Sequence, residues 1–77
     1  MNRFPVESSL LASAAYSPDQ SLLELEFCSG EIYRFFDVPA TIVYELMASP
    51  SKGTYFNRSI RNRFRFQLLA AIPQKTK

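Results

Sequence analysis

The sequence predicts an α+β domain: a three-stranded antiparallel β-meander followed by two short helices packed on one face, in the order βββαα. Three observations carry this expectation. Apolar and polar residues alternate from Leu22 to Phe27, between turn residues at Ser17–Gln20 and Cys28–Gly30, which is the pattern of a half-buried strand in a meander. After Asp37 the spacing becomes helical, with Ile42, Val43, Leu46 and Met47 on one face. The chain has 77 residues, of which 47% are hydrophobic, including seven Phe and four Tyr. That length fits one domain, and that composition supports a packed core rather than disorder.

The elements follow in order. From Glu7 to Tyr16, Leu10, Ala12, Ala14 and Tyr16 fall on one side of a strand and Leu11, Ser13 and Ala15 on the other. Ser17-Pro18-Asp19-Gln20 is a turn, because Pro sets φ at its second position and Asp suits the third. In the next strand Leu23, Leu25 and Phe27 point inward, and Glu24 and Glu26 point to solvent. Glu31 to Phe36 is the third strand. A two-residue loop at Ser29-Gly30 would pair Phe27 with Ile32 and turn Tyr33 and Phe35 outward. A three-residue loop, Cys28-Ser29-Gly30, pairs Phe27 with Glu31, Leu25 with Tyr33 and Leu23 with Phe35. The second register is preferred, because Gly suits the left-handed position that closes such a loop and Glu24 then faces Arg34. A slip of one residue reverses which face Tyr33 and Phe35 occupy.

Asp37-Val38-Pro39 starts a helix, with Pro39 in the first turn where its missing N–H is harmless. Pro50 stops it by disfavouring helical geometry at Ser49. Phe56, Ile60 and Phe64 recur every four residues, so the spacing predicts a helix from Thr54 to about Asn62, with an extended piece beyond. Were the helix to continue through Phe66, Arg58, Arg61 and Arg65 would share one side, but Arg61 to Phe66 alternates equally well as a strand. Gln67 to Ile72 is apolar enough to pack on the domain. Residues 7–72 are thus expected to form the domain, with residues 1–6 and 73–77 as flexible termini.

Charge divides the chain. Residues 1–48 carry Arg3 and Arg34 against seven acids, a net of −5, whereas residues 49–77 carry Lys52, Arg58, Arg61, Arg63, Arg65, Lys75 and Lys77 and no acid, a net of +7. Such asymmetry fits an anionic partner for the basic part, or the packing of one part on the other. Catalysis has little to work with. There is no His, one Cys without a partner base, and only two glycines, Gly30 and Gly53, so no phosphate-binding loop. No metal or cofactor is expected, because the clustered ligands are missing. The lone Cys28 fits a reducing cytoplasm. No apolar run nears the roughly 18 residues that a membrane span requires, and no apolar stretch follows Arg3 as in a signal peptide. A soluble, cytoplasmic, non-catalytic binding domain is expected.

The order of short motifs resembles the KTSC domain, a family named for its occurrence at the C-terminus of some lysyl-tRNA synthetases and found also as stand-alone bacterial or phage proteins. Ser9 and Tyr16 sit in the opening strand. Leu23-Glu24-Leu25-Glu26-Phe27 matches the Leu-x-Val-x-Phe strand, and Gly30 leads into Tyr33-Arg34-Phe35, a variant of Tyr-x-Tyr. Val38-Pro39 opens the helix, with Tyr44 and Leu46 inside it. Ser51 to Arg61 resembles Ser-x-Gly-x-Tyr-Phe-Asn-x-x-Ile-Arg. The resemblance covers about residues 8–66. Phe35 departs from the second Tyr, which argues against a role needing two phenols, and Ser17-Pro18 departs in the first turn. The resemblance implies the fold and, through the synthetase fusion, an RNA partner.

The candidate nucleic-acid-binding residues are Lys52, Tyr55, Asn57, Arg58, Arg61, Arg63 and Arg65. The cations could meet phosphates and release counterions, Tyr55 or Phe66 could stack on bases, and Asn57 and Asn62 could hydrogen-bond a base edge or a phosphate. Tyr33, Phe35, Pro39, Gly53, Phe56 and Ile60 are motif residues expected to serve the fold. The alternative is a protein-interaction or self-association module that uses the sheet edge or the acidic sheet face.

Overall fold

The computed structural model describes residues 3–70. Its elements are β1 (Arg3–Pro5), β2 (Leu11–Ser17), β3 (Leu22–Phe27), β4 (Ile32–Phe35), α1 (Ala40–Ala48), α2 (Lys52–Ser59) and β5 (Phe66–Ala70). The strands form one antiparallel sheet in the order β1-β2-β3-β4-β5. The fold is α+β, as expected, but the sheet has five strands rather than three. The meander is its centre, and a short strand is added at each edge. Residues 73–77, expected as a flexible tail, lie outside the described residues.

The β3–β4 hairpin adopts the three-residue register. Leu25 pairs with Tyr33, Leu23 with Phe35 and Glu24 with Arg34. The Phe27 N–H donates to the Glu31 carbonyl at 2.8 Å and the Gly30 N–H to the Phe27 carbonyl at 2.8 Å. Gly30 lies at φ 104, a conformation that only glycine adopts without strain. In the preceding loop the Gln20 N–H donates to the Ser17 carbonyl at 3.2 Å, closing the expected turn.

The first long strand begins later than expected, at Leu11, so Ser9 precedes it. It also breaks its own alternation. Leu11 pairs with Phe27 but Ser13 with Glu26, which leaves Ala12 unopposed in a bulge. A bulge reverses the inside–outside sequence beyond it. Leu11 therefore joins Ala14 in the core, where an unbroken strand would place the two on opposite faces.

The outer face explains β1. Arg3, Ala15, Glu24, Arg34 and Gln67 occupy one row across the five strands. Ala15 is small, and Arg3 reaches across it. Arg3 Nη2 donates to Glu24 Oε1 at 2.6 Å, and Arg34 Nη2 donates to Glu24 Oε2 at 2.8 Å. Arg3 also donates to Ser13 Oγ at 3.1 Å, and Ser13 Oγ donates to Glu26 Oε1 at 2.7 Å. Arg3–Pro5, expected within a flexible segment, is thus a paired strand, held by these contacts and by Phe4 packed on the core. Glu24 is nearly buried between two arginines rather than directed to solvent.

Both helices pack on the other face. Pro39 is the N-cap of α1 with extended geometry, one position before the first turn. The Tyr16 hydroxyl donates to the Val38 carbonyl at 2.6 Å and fixes this entry to the sheet. Ser49 caps the C-terminus of α1 just before Pro50. The N-cap Ser51 accepts from the Thr54 N–H at the start of α2. The second helix is displaced from Thr54–Asn62 to Lys52–Ser59, because Ile60 leaves helical geometry at φ −120. Arg61 and Arg65 are consequently not on a helix with Arg58, and the expected shared stripe does not exist.

Leu11, Ala14, Leu23, Leu25 and Phe35 from the sheet side meet Val38, Val43, Leu46, Phe56 and Ile60 in the core. Each fully buried Leu or Ile contributes about 1.5–3 kcal/mol. Phe64 packs against this core from the turn after α2. Gly53 serves close packing: a Cβ there would lie 3.3 Å from the Leu10 Cβ.

Candidate functional site

The helices leave the last strand of the sheet uncovered. All five residues of β5 are exposed. Phe66 pairs with Phe35 and Leu68 with Tyr33, so Phe66 and Leu68 share the helix-side face without a helix above them. Beside them a cleft of about 460 Å³ opens between β4, β5 and the end of α2.

Aromatic rings line this cleft: Phe27, Tyr33, Phe35, Phe56 and Phe66. They form a connected set. Tyr33 meets Phe27 edge-on at 5.6 Å and Phe66 edge-on at 5.6 Å, and Phe56 meets Phe27 at 5.2 Å and Phe35 at 5.6 Å. Such contacts hold rings at defined angles and contribute about 0.5–1.5 kcal/mol each beyond burial. The polar lining is Glu31, Asn57, Arg61 and Asn62. Arg61 Nη1 donates to Asn57 Oδ1 at 3.3 Å. A mostly apolar concave site with a few convergent polar groups is the usual form of a ligand pocket.

The seven candidate binding residues separate into groups. Asn57 and Arg61 line the cleft. Arg58 and Arg63 are exposed nearby in sequence on α2 and the following turn. Arg65 is exposed but stacked, with its guanidinium carbon 4.6 Å from the Phe36 ring centre, and its carbonyl accepts from the Phe36 N–H at 2.9 Å. Lys52 Nζ donates to the Ser49 carbonyl at 3.1 Å, between the helices. Tyr55 is engaged elsewhere: its hydroxyl donates to Glu45 Oε1 at 2.7 Å and joins α2 to α1. Partial burial, then the Glu45 hydrogen bond, raise its hydroxyl above the usual 10.0.

Tyr33, Phe35 and Phe56, read from sequence as fold residues, also wall the cleft, while Pro39, Gly53 and Ile60 keep structural positions. Glu31 was not visible as a site residue. The preferred hairpin register already placed Phe27, Tyr33 and Phe35 on one face; what it could not give was the open space above them. The acids do not absorb the basic segment. Among the described residues the ion pairs are Arg3–Glu24 and Arg34–Glu24, and neither uses a cation beyond residue 48.

Fold and cleft together define a small α+β domain with an aromatic groove at the edge of its sheet. The chain belongs to the KTSC domain family, whose model matches residues 7–64. It is 33% identical to a KTSC domain protein of Yersinia pestis whose crystal structure superposes with a TM-score of 0.84, covering 90% of this chain and 97% of that one. An uncharacterised protein of Stutzerimonas stutzeri is 43% identical over 58 residues, which are 75% of this chain and 82% of that protein. A lysine–tRNA ligase of a Nostoc species is 42% identical over 64 residues, 83% of this chain. The chain spans only 11% of the length of that ligase, so the likeness concerns one small region of an enzyme. No helix among the described residues is long and apolar enough to cross a membrane.

Proposed function

We propose that this KTSC domain is a non-catalytic RNA-binding module that takes unpaired nucleotides into the aromatic cleft. The observation that carries the reading is the convergence of Phe27, Tyr33 and the exposed Phe66, backed by the buried Phe35 and Phe56, with Asn57, Arg61 and Asn62 around one open cavity. Sequence-specific RNA recognition works mostly on unstacked bases, which stack on aromatic side chains and guanidinium planes. Arg58, Arg61, Arg63 and Arg65 stand free of ion pairs among the described residues and supply the phosphate contacts. The occurrence of a similar region in lysine–tRNA ligases supports an RNA partner.

The test is fluorescence anisotropy with a labelled single-stranded RNA of mixed sequence. If three to four arginines each neutralise one phosphate, affinity for a single strand scales with salt with a slope of about −2 to −3 on logarithmic axes. Affinity then falls roughly 20- to 50-fold between about 50 and 200 mM salt. Failure to bind at about 50 mM salt would refute the reading.

One observation favours a second reading, protein association through the β5 edge: Phe66, Leu68 and Leu69 are 54%, 46% and 40% exposed on a terminal strand of the sheet. An exposed apolar edge is a template for strand addition. On the acidic face Glu24 is already held by two arginines, so the β5 edge is the better supported form of that reading. A concentration-dependent mass by light scattering would support the edge reading, and a monomer at all concentrations would count against self-association.

A further inference from the structure

We infer that the base taken by the cleft is guanine; this rests on the nucleic-acid reading above and adds base identity to it. The polar lining contains donors and one acceptor of opposite charge. Asn57 Oδ1 accepts from Arg61 Nη1 at 3.3 Å, which fixes the carboxamide so that its N–H groups remain as donors. Arg61 keeps its other N–H groups, and Asn62 lines the same cavity. Glu31, also in the lining, brings a carboxylate with two acceptor oxygens. Neither Glu31 nor Arg61 takes part in an ion pair among the described residues. The carboxylate and the guanidinium are therefore not closed on each other, and about 460 Å³ of open space lies among the lining groups.

Guanine fits this chemistry best of the four bases. Its N1–H and N2–H groups are adjacent donors that one carboxylate can accept together, and O6 and N7 are the acceptor pair that an arginine reads with two parallel bonds. Adenine and cytosine each offer a single exocyclic amine to Glu31, and uracil offers a single N–H beside two carbonyls that the carboxylate repels. The purine ring also gives the larger face to Tyr33 and Phe66. The volume falls within the roughly 300–1,000 Å³ of small-ligand sites, so one nucleoside is accommodated. The strand on either side then runs past Arg58 and Arg63, both exposed on α2 and the turn after it.

The experiment measures the affinity of the wild-type chain for four labelled RNAs, each a run of adenines with G, A, C or U at the centre, and for free GMP by competition. Glu31→Gln and Phe66→Ala are measured in parallel, with circular dichroism to show that each variant is folded. The expected result is a preference of roughly tenfold or more for the central G. Glu31→Gln is expected to reduce it to within about threefold, because the amide replaces one of the two acceptor oxygens with an NH2 donor that faces a guanine N–H. Phe66→Ala is expected to weaken all four RNAs alike by removing a stacking face. Equal binding of the four RNAs, or a G preference that survives Glu31→Gln, overturns the guanine assignment and leaves the RNA reading standing. GMP binding as tightly as the RNA supports the guanine pocket but removes the strand from it, which overturns the RNA reading alone. Absence of binding to every probe overturns both.

Discussion

Glu24→Gln tests how the outer face holds the edge strand in place. The Glu24 side chain is 11% exposed, and it accepts from Arg3 at 2.6 Å and Arg34 at 2.8 Å, whose side chains are 35% and 34% exposed. Gln keeps the shape but loses the charge, and its amide N–H groups face one of the two guanidinium groups. Hydrogen bonds to charged groups contribute about 1.5–3 kcal/mol each. Screening at arginines one-third open to water lowers this, so the total loss is about 2–3 kcal/mol. A domain of this size has on the order of 5 kcal/mol in all. The midpoint of urea unfolding, followed by circular dichroism, should therefore fall by roughly half with the slope unchanged. Arg3→Ala should cost less in the Glu24→Gln background than in the wild type, since the contact is already gone. A loss below about 0.5 kcal/mol, the range of ordinary surface substitutions, would mean that the arginine pair does not anchor β1.

Other expectations are narrower. The Tyr55 hydroxyl is raised by burial first and by its bond to Glu45 second, against weaker opposing effects of Ser59 and Arg63. The folded chain thus holds that proton more tightly than the unfolded chain, so the stabilisation is complete below pH about 10 and is lost as pH rises through the raised folded value. Tyr55→Phe should lower Tm at neutral pH, and the gap to wild type should narrow in melts taken above pH about 10. Gly53→Val should destabilise the domain, because even a first added carbon would lie 3.3 Å from the Leu10 Cβ; urea unfolding checks this. Phe56→Ala should cost about 3–5 kcal/mol, close to the whole stability, and the sign would be loss of the cooperative melting transition. Arg58, Arg61 and Arg63 changed together to Ala should reduce the salt slope of RNA binding by about 2 without changing Tm by more than a few degrees.

The centre of the fold was legible because its signals are local. Gly30 and the facing pair Glu24 and Arg34 set the hairpin register, and Pro39 and Pro50 bracketed α1. The added strands were not legible. Arg3–Pro5 has only three residues, and what fixes it is an ion pair to a glutamate 21 positions away. Phe66–Ala70 pairs with β4 across two helices, and its Phe-Gln-Leu-Leu-Ala run has a register shift where it meets Ile32 and Tyr33. The bulge at Ala12 is equally non-local, since only the partner strand reveals it. Of these features it is β5 that shapes the site, through Phe66. Phe35 remains a core residue, and with β5 beside it, it also walls a cleft together with Tyr33, Phe66 and Glu31. The arginine cluster was visible in the sequence, but its helical stripe was an artefact of extending α2 past Ile60.

The most direct test of the cleft as the RNA site is a titration of the ¹⁵N-labelled chain with a short unlabelled single-stranded RNA, followed by amide chemical shifts. The cleft reading predicts that the largest perturbations fall on Glu31, Tyr33, Asn57, Arg61, Asn62 and Phe66, with Ala15, Glu24 and Gln67 on the opposite face unmoved. Perturbations confined to the Arg3–Glu24–Arg34 face, or none under conditions where anisotropy reports binding, would contradict it.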